Sequence, residues 1–169
     1  MKVGILGSGI VGQTLGSGFL KYGHQVKIGT SNPNKLNDWL DKAGTNASSG
    51  SFADAASFGE LIVLAVKGTA ALNVLEKAGP ENFKDKTIID TTNPIADAAP
   101  VNGVLQFFTN QNSSLMEELQ KKYSQANFVK AFSCVGNTLM VNPDFGGQKP
   151  TMFIAGNNDD SKNVVKKIL

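Results

Sequence analysis

The chain contains no arginine: all 16 of its basic residues are lysine. It therefore lacks the planar fork that grips phosphate or carboxylate through two parallel hydrogen bonds. A net charge of +2 is too small for a nucleic-acid surface. The single cysteine, Cys134, excludes an internal disulfide and the paired thiolates of a zinc or iron–sulfur centre, so no metal site is expected. No apolar run approaches the ~20 residues that span a bilayer. The "VGIL" run near Met1 is too short for the core of a signal peptide and is broken by Gly4. The expectation is a cytoplasmic protein with neither a membrane nor a nucleic-acid partner. At 169 residues, 41% hydrophobic and 18% charged, the sequence suits one globular domain over 1–169.

What is present is an alternation of short apolar runs with helical patterns. Strands are predicted at 2–6, 25–29, 61–66, 87–90, 128–132 and 151–155. Helices are predicted at 10–23, 32–44, 51–59, 69–79, 113–124 and 159–169, and 96–114 reads as a polar loop. The run "LIVLAV" at 61–66 has no alternation, as expected for a central strand buried on both faces of a parallel sheet. Regular alternation of strand and helix predicts an α/β doubly wound, mainly parallel sheet of the Rossmann type. Leu169 falls inside a helical pattern with no cap and no following strand, so the chain is expected to continue beyond it.

Gly7-Ser8-Gly9-Ile10-Val11-Gly12 fits G-x-G-x-x-G. The pattern is informative here because it follows a predicted strand and opens a helix. The first glycine permits the tight turn, the second a close approach of pyrophosphate, and the third close packing of helix on strand. The helix N-terminus then offers free N–H groups and about half a positive charge. No "GK[ST]" follows, which excludes a P-loop.

About 20 residues further on, an NAD site places an acid on the ribose 2′-hydroxyl. This chain has Thr30, Ser31 and Asn32 there, followed by Lys35. A carboxylate would repel a 2′-phosphate. Hydroxyls, an amide, a lysine and the electropositive start of the next helix would attract one, so NADP(H) is expected over NAD(H). The same residues also suit a turn and helix cap.

Ligands of such sheets bind beyond the carboxyl ends of the strands. Besides the glycine turn, Ala65-Val66-Lys67, Thr91-Thr92-Asn93-Pro94 and Ser133-Cys134 end there. No catalytic residue is expected. His24 lies in a turn at the opposite edge, and Cys134 has no histidine partner. Asp90 is expected to brace the turn that follows it, and Trp39 to pack.

The runs "KVGILGSGIVGQTLGSGFLKYGHQVKIGTSNP", "IVLAVK", "IIDTTNPI", "VKAFSCVG" and "PTMFIAGNNDDSKNVVKKI" resemble, in order, the NADPH:coenzyme F-420 oxidoreductase family. The dinucleotide-binding domain of ferric reductases is similar too. The resemblance implies NADP(H) as cofactor and coenzyme F-420, a flavin or another small molecule as redox partner. It also implies a Rossmann domain, often dimeric, that continues past Leu169 with a further strand and helices. It would set Val66 and Lys67 beside the dinucleotide, Asn93 and Pro94 near the nicotinamide, and Ser133 and Cys134 on the face of the second partner. The family usually carries arginine where this chain has Ser31, and "AFNT" where it has Ala131 to Cys134. A non-enzymatic NADP(H) sensor is the alternative reading. A β-hydroxyacid dehydrogenase would need a lysine on a helical domain absent from this chain.

Overall fold

Four short strands supply apolar side chains to both faces of one sheet, and two more supply them to one face only. The computed structural model describes residues Met1–Leu169. In chain order it has β1 (Lys2–Leu6), α1 (Ile10–Lys21), β2 (Gln25–Gly29), α2 (Asn37–Ala43), β3 (Ala47–Gly50) and α3 (Phe52–Phe58). There follow β4 (Leu61–Leu64), α4 (Ala71–Ala78), β5 (Thr87–Asp90), α5 (Leu115–Lys122), β6 (Asn127–Lys130) and α6 (Asp159–Lys166). The sheet order is β3-β2-β1-β4-β5-β6, and every pairing is parallel. This is the doubly wound order, with its switch point between β1 and β4.

Successive side chains of a strand point to opposite faces, and two separate cores result. Val63 of β4, Ile89 of β5 and Val129 of β6 join Ile5, Ile28, Phe19 and Trp39 on one face. Their neighbours Ile62, Ile88 and Phe128 join Ala55, Leu75 and Leu119 on the other. Each fully buried Leu, Ile or Phe contributes roughly 1.5–3 kcal/mol. Trp39 packs in the first core as expected, and its indole N–H donates to Ser17 Oγ at 2.9 Å. His24 sits at the amino edge of the sheet, tilted against the Phe19 ring at 5.8 Å.

Several local expectations change. The segment read as one helix over 32–44 is a 3₁₀ turn at Pro33–Leu36 followed by α2. Similarly, the 69–79 helix begins with a 3₁₀ turn at Gly68–Ala70. The edge strand β3, "ASSG", was not expected, because its small polar residues carry no apolar alternation. The strand expected at 151–155 is not one. Only Ala155 pairs, antiparallel to Lys130. Met152 and Ile154 pack against the first core while Phe153 is 75% exposed, so the alternation is real but lacks a ladder.

The region read as a polar loop holds a hairpin. Val101 and Val104 exchange hydrogen bonds of 3.0 and 2.9 Å around Asn102-Gly103, whose φ angles are 50° and 80°. Both positive values belong to a type I′ turn, for which Asn-Gly is the favoured pair. Ile95 bridges Phe107 across the same hairpin.

Gly4 shows how closely the layers approach. A Cβ there would lie 2.1 Å from the Ala55 carbonyl oxygen of α3. Gly4→Ala is expected to push α3 off the sheet and lower stability by about 1–3 kcal/mol or more, read by denaturant unfolding.

Candidate dinucleotide-binding site

At the end of β1 the chain turns with Gly7 at φ 127°, and the Gly7 N–H donates to Gly29 O of β2 at 3.0 Å. A Cβ on Gly7 would meet Ala65 O at 2.2 Å, and one on Gly12 would meet Gly7 O at 2.1 Å. These two glycines are demanded by packing. Gly9 is different: its backbone (φ −75°, ψ −179°) suits any residue, and a Cβ would meet nothing within 4 Å. The space in front of Gly9 is open, as the approach of a pyrophosphate requires.

The amides at this turn are unsatisfied. α1 has no side-chain cap and no acid in its first turn. The backbone N–H groups of Ser8, Gly9, Ile10, Val11 and Gly12 have no acceptor in the protein, and the ladder begins with Gln13 N–H to Gly9 O at 3.0 Å. Several orphan donors and the positive end of a helix dipole therefore converge on the open face of Gly9. An anion fits there without a lysine.

The glycine turn is tied to the end of β2. Ser8 Oγ lies 2.8 Å from Thr30 Oγ1, which also accepts the Asn32 N–H at 3.1 Å. Thr30 is only 7% exposed, so its hydroxyl braces the loop from within. Ser31, Asn32 and Lys35 are exposed, and Lys35 has no carboxylate partner. The electropositive helix start expected beside them is the four-residue 3₁₀ turn, whose dipole is slight. Positive charge at this corner comes from Lys35. Gln13, which composition did not single out, holds the loop from the helix side: its Nε2 donates to Ser8 O at 2.9 Å.

On the other side of the switch point, the loops after β4, β5 and β6 are stitched together. Lys67 Nζ and Thr69 Oγ1 each lie 3.0 Å from a different oxygen of Asp97. They hold the Asp97 carboxyl below its ordinary range. The tie is therefore complete above that range and is lost only as pH falls through the lowered value. Gly68 lies against Asn93, where a Cβ would come within 2.1 Å of Asn93 O. Asn93 Nδ2 donates to Ser133 O at 2.9 Å. Phe132, just before, is a buried aromatic at φ 62°, a strained value for a bulky residue that sets the course of Ser133 and exposed Cys134. Ala65 is buried, Val66 and Pro94 are half-buried.

Asp90 braces the 91–94 turn from below. Fully buried, it accepts the Thr92 N–H at 2.9 Å and hydroxyl at 2.7 Å through Oδ1, and Lys130 Nζ at 2.6 Å through Oδ2. Lys130 also donates to Thr92 O at 2.8 Å. The site is an open shelf along the strand ends. A groove of about 1040 Å³ lies on the flank between α1, residues 139–152 and α6 and includes none of the glycine turn. No helix is long and apolar enough to cross a membrane.

A family profile described as NADP oxidoreductase, coenzyme F420-dependent, matches residues 2–94, more than half of the chain. The chain belongs to this family. The match runs from β1 to the Asn93-Pro94 turn, and so takes in the glycine turn, the end of β2 and the loop after β4. A candidate F420-dependent NADP reductase from Arthrobacter sp. FB24 superimposes with a TM-score of 0.90 at 30% identity, over 99% of this chain and 79% of that one. A reductive aminase from Aspergillus terreus, solved with NADPH, shares the fold with a TM-score of 0.70 at 18% identity, over 99% of this chain and 51% of that one. A candidate zeta-carotene desaturase of Synechococcus elongatus is 32% identical over 127 residues, 71% of this chain. This chain spans about a quarter, 26%, of the desaturase's length.

The two kinds of glycine can be separated by experiment. Gly9→Ala is expected to leave unfolding free energy within about 0.5 kcal/mol of the parent, or slightly raised, while weakening dinucleotide binding at least about tenfold. Gly12→Ala is expected to lose stability as well as binding. Calorimetric titration alongside thermal unfolding reads both. Asp90→Ala leaves Lys130 without its counter-charge and the Thr92 donors without an acceptor, and a loss of about 3 kcal/mol in denaturant unfolding is expected.

Proposed function

We propose that the chain is an NADP(H)-dependent oxidoreductase that moves hydride between NADP(H) and a small-molecule acceptor. The observation that carries this is the set of orphan amides facing open space at Gly9, combined with an acid-free corner at the end of β2. On this reading the N–H groups of Ser8 to Gly12 hold the pyrophosphate. Ser31, Asn32 and Lys35 hold the 2′-phosphate, with Thr30 bracing the turn behind them. The nicotinamide half extends over Ala65, Val66 and Lys67 toward Asn93 and Pro94, and the acceptor docks by Ser133 and Cys134. Coenzyme F420 is the acceptor that the family's description names, and flavins are related candidates.

The bound dinucleotide supplies the hydride chemistry, so the chain's task is distance, orientation and exclusion of water. Three contacts hold the acceptor-side loops in register: Asp97 across Lys67 and Thr69, Asn93 to Ser133, and Asp90 beneath Thr92. No side chain has to carry a proton for hydride to pass. The single-domain organisation and cytoplasmic location expected from the sequence are part of the same proposal.

Titration with NADPH and NADH tests the cofactor, with tighter binding of NADPH expected. Ser31→Arg restores a bidentate donor and is expected to tighten NADPH about tenfold while leaving NADH nearly unchanged. Tighter NADH binding by the parent chain would overturn the assignment of the 2′-phosphate corner. NADPH oxidation offered F420, FMN, FAD and uncharged acceptors tests turnover. Cofactor binding with no turnover on any of them would make the chain a non-catalytic NADP(H)-binding module.

A further inference from the structure

Charge is distributed unevenly along the carboxyl edge of the sheet. At the adenosine corner Lys35 is exposed and unpaired. On the acceptor side, the loops 65–70, 91–114 and 131–143 contain one lysine and one acid, Lys67 and Asp97. These two pair with each other. The only other lysine at this edge, Lys130 at the end of β6, is tied to buried Asp90. Neither of these lysine side chains is therefore free to meet an anionic ligand, and Lys149, further along the loop after β6, lines the flank groove instead.

The same loops carry an apolar surface. Ile95, Val101, Val104, Leu105, Phe107 and Phe108 of the hairpin are each between 36% and 63% exposed. The hairpin is continuous with the proposed nicotinamide end: it leaves directly from Asn93-Pro94 and returns through the Phe108 N–H to Pro94 O at 3.0 Å. Asp97 pins its first strand to the loop after β4. Exposed apolar side chains clustered in sequence beside a site point to a binding surface.

We infer that the acceptor is an uncharged, planar, apolar molecule of the quinone class, docked on the 95–108 hairpin, and not an anionic deazaflavin or flavin nucleotide. The inference rests on the oxidoreductase reading and narrows its second substrate. F420 and FMN carry phosphate, and F420 a glutamyl carboxylate tail, to which these loops offer no free side-chain cation. A quinone has no such need. It gains hydride from NADPH, which leaves as NADP⁺, and one proton from water completes the hydroquinone. Beyond the paired Lys67 and Asp97, the only titratable side chain in the three loops is the Cys134 thiol. Quinone reduction suits such a site, because its charge after hydride addition is delocalised and no positioned acid is required.

NADPH oxidation by the full chain is measured with 1,4-naphthoquinone, its 2-sulfonate, F420 and FMN, and repeated with Leu105→Lys. The expected result is the highest kcat/KM for the neutral quinone. Leu105→Lys should raise the sulfonate-to-quinone ratio by about fivefold, the upper range for an exposed ion pair. Comparing ratios between parent and variant cancels the intrinsic reactivities of the two quinones. Val104→Lys, at the most exposed of the six positions, gives a second reading should Leu105→Lys fold poorly. Turnover that favours F420 or FMN overturns the inference and leaves the oxidoreductase reading intact, as does an unmoved ratio in both lysine variants. Bound NADPH with no oxidation by any acceptor overturns both.

Discussion

A contact of two glycines governs the architecture. The Gly7 carbonyl comes so near Gly12 that a Cβ on the latter would lie 2.1 Å from it. This closeness lets α1 start immediately after β1 and aim its free amides along the strand end. Were the turn looser, a cap or a loop residue would satisfy those donors and the anion site would vanish. The second helix layer obeys the same rule, since Gly4 admits α3 and Gly68 admits the 91–94 turn. At these positions glycine is a device for bringing backbone to backbone. Gly9, alone of the three fingerprint glycines, keeps a space empty.

The two halves of the carboxyl edge are held by different means. At the adenosine corner a hydroxyl pair, Ser8 and Thr30, links the glycine turn to β2, and the flanking side chains stay free. On the acceptor side each charged group has a partner, and the loops are fixed to one another. A flexible polar corner can adapt to a phosphate. A neutralised, cross-braced wall can exclude water and hold a ring at fixed distance. The strain at Phe132 belongs to this second half, where buried packing of its ring keeps the backbone in the left-handed region.

Much of this was legible in the sequence. "LIVLAV" and "TIID" announce buried parallel strands because both faces are apolar, and G-x-G-x-x-G announces the turn because its context is local. The serine cap of α5, Ser114 with Glu117, is visible for the same reason. What was not legible depends on partners distant in sequence. β3 is held only by its ladder to β2, and "ASSG" carries no signal of that. "TMFIA" alternates like a strand yet finds a single bridge. Thr30 reads as a phosphate ligand from its position, but its burial follows from Ser8, 22 residues away. The hairpin is a different case: its signal, Val-Asn-Gly-Val, is local, yet the polar residues around it make the segment read as a loop.

That hairpin has a consequence for how the molecule assembles. Every strand pair of the sheet is parallel, so each must close a long crossover before it gains any hydrogen bond. Asn102-Gly103 joins its partners through two residues and closes on the timescale of microseconds. It is too small to persist alone in water. It can nevertheless form and dissolve many times while the crossovers are still being searched. The hairpin's closure is thus independent of the crossovers, and in the folded chain Asp97 fastens it to the loop after β4.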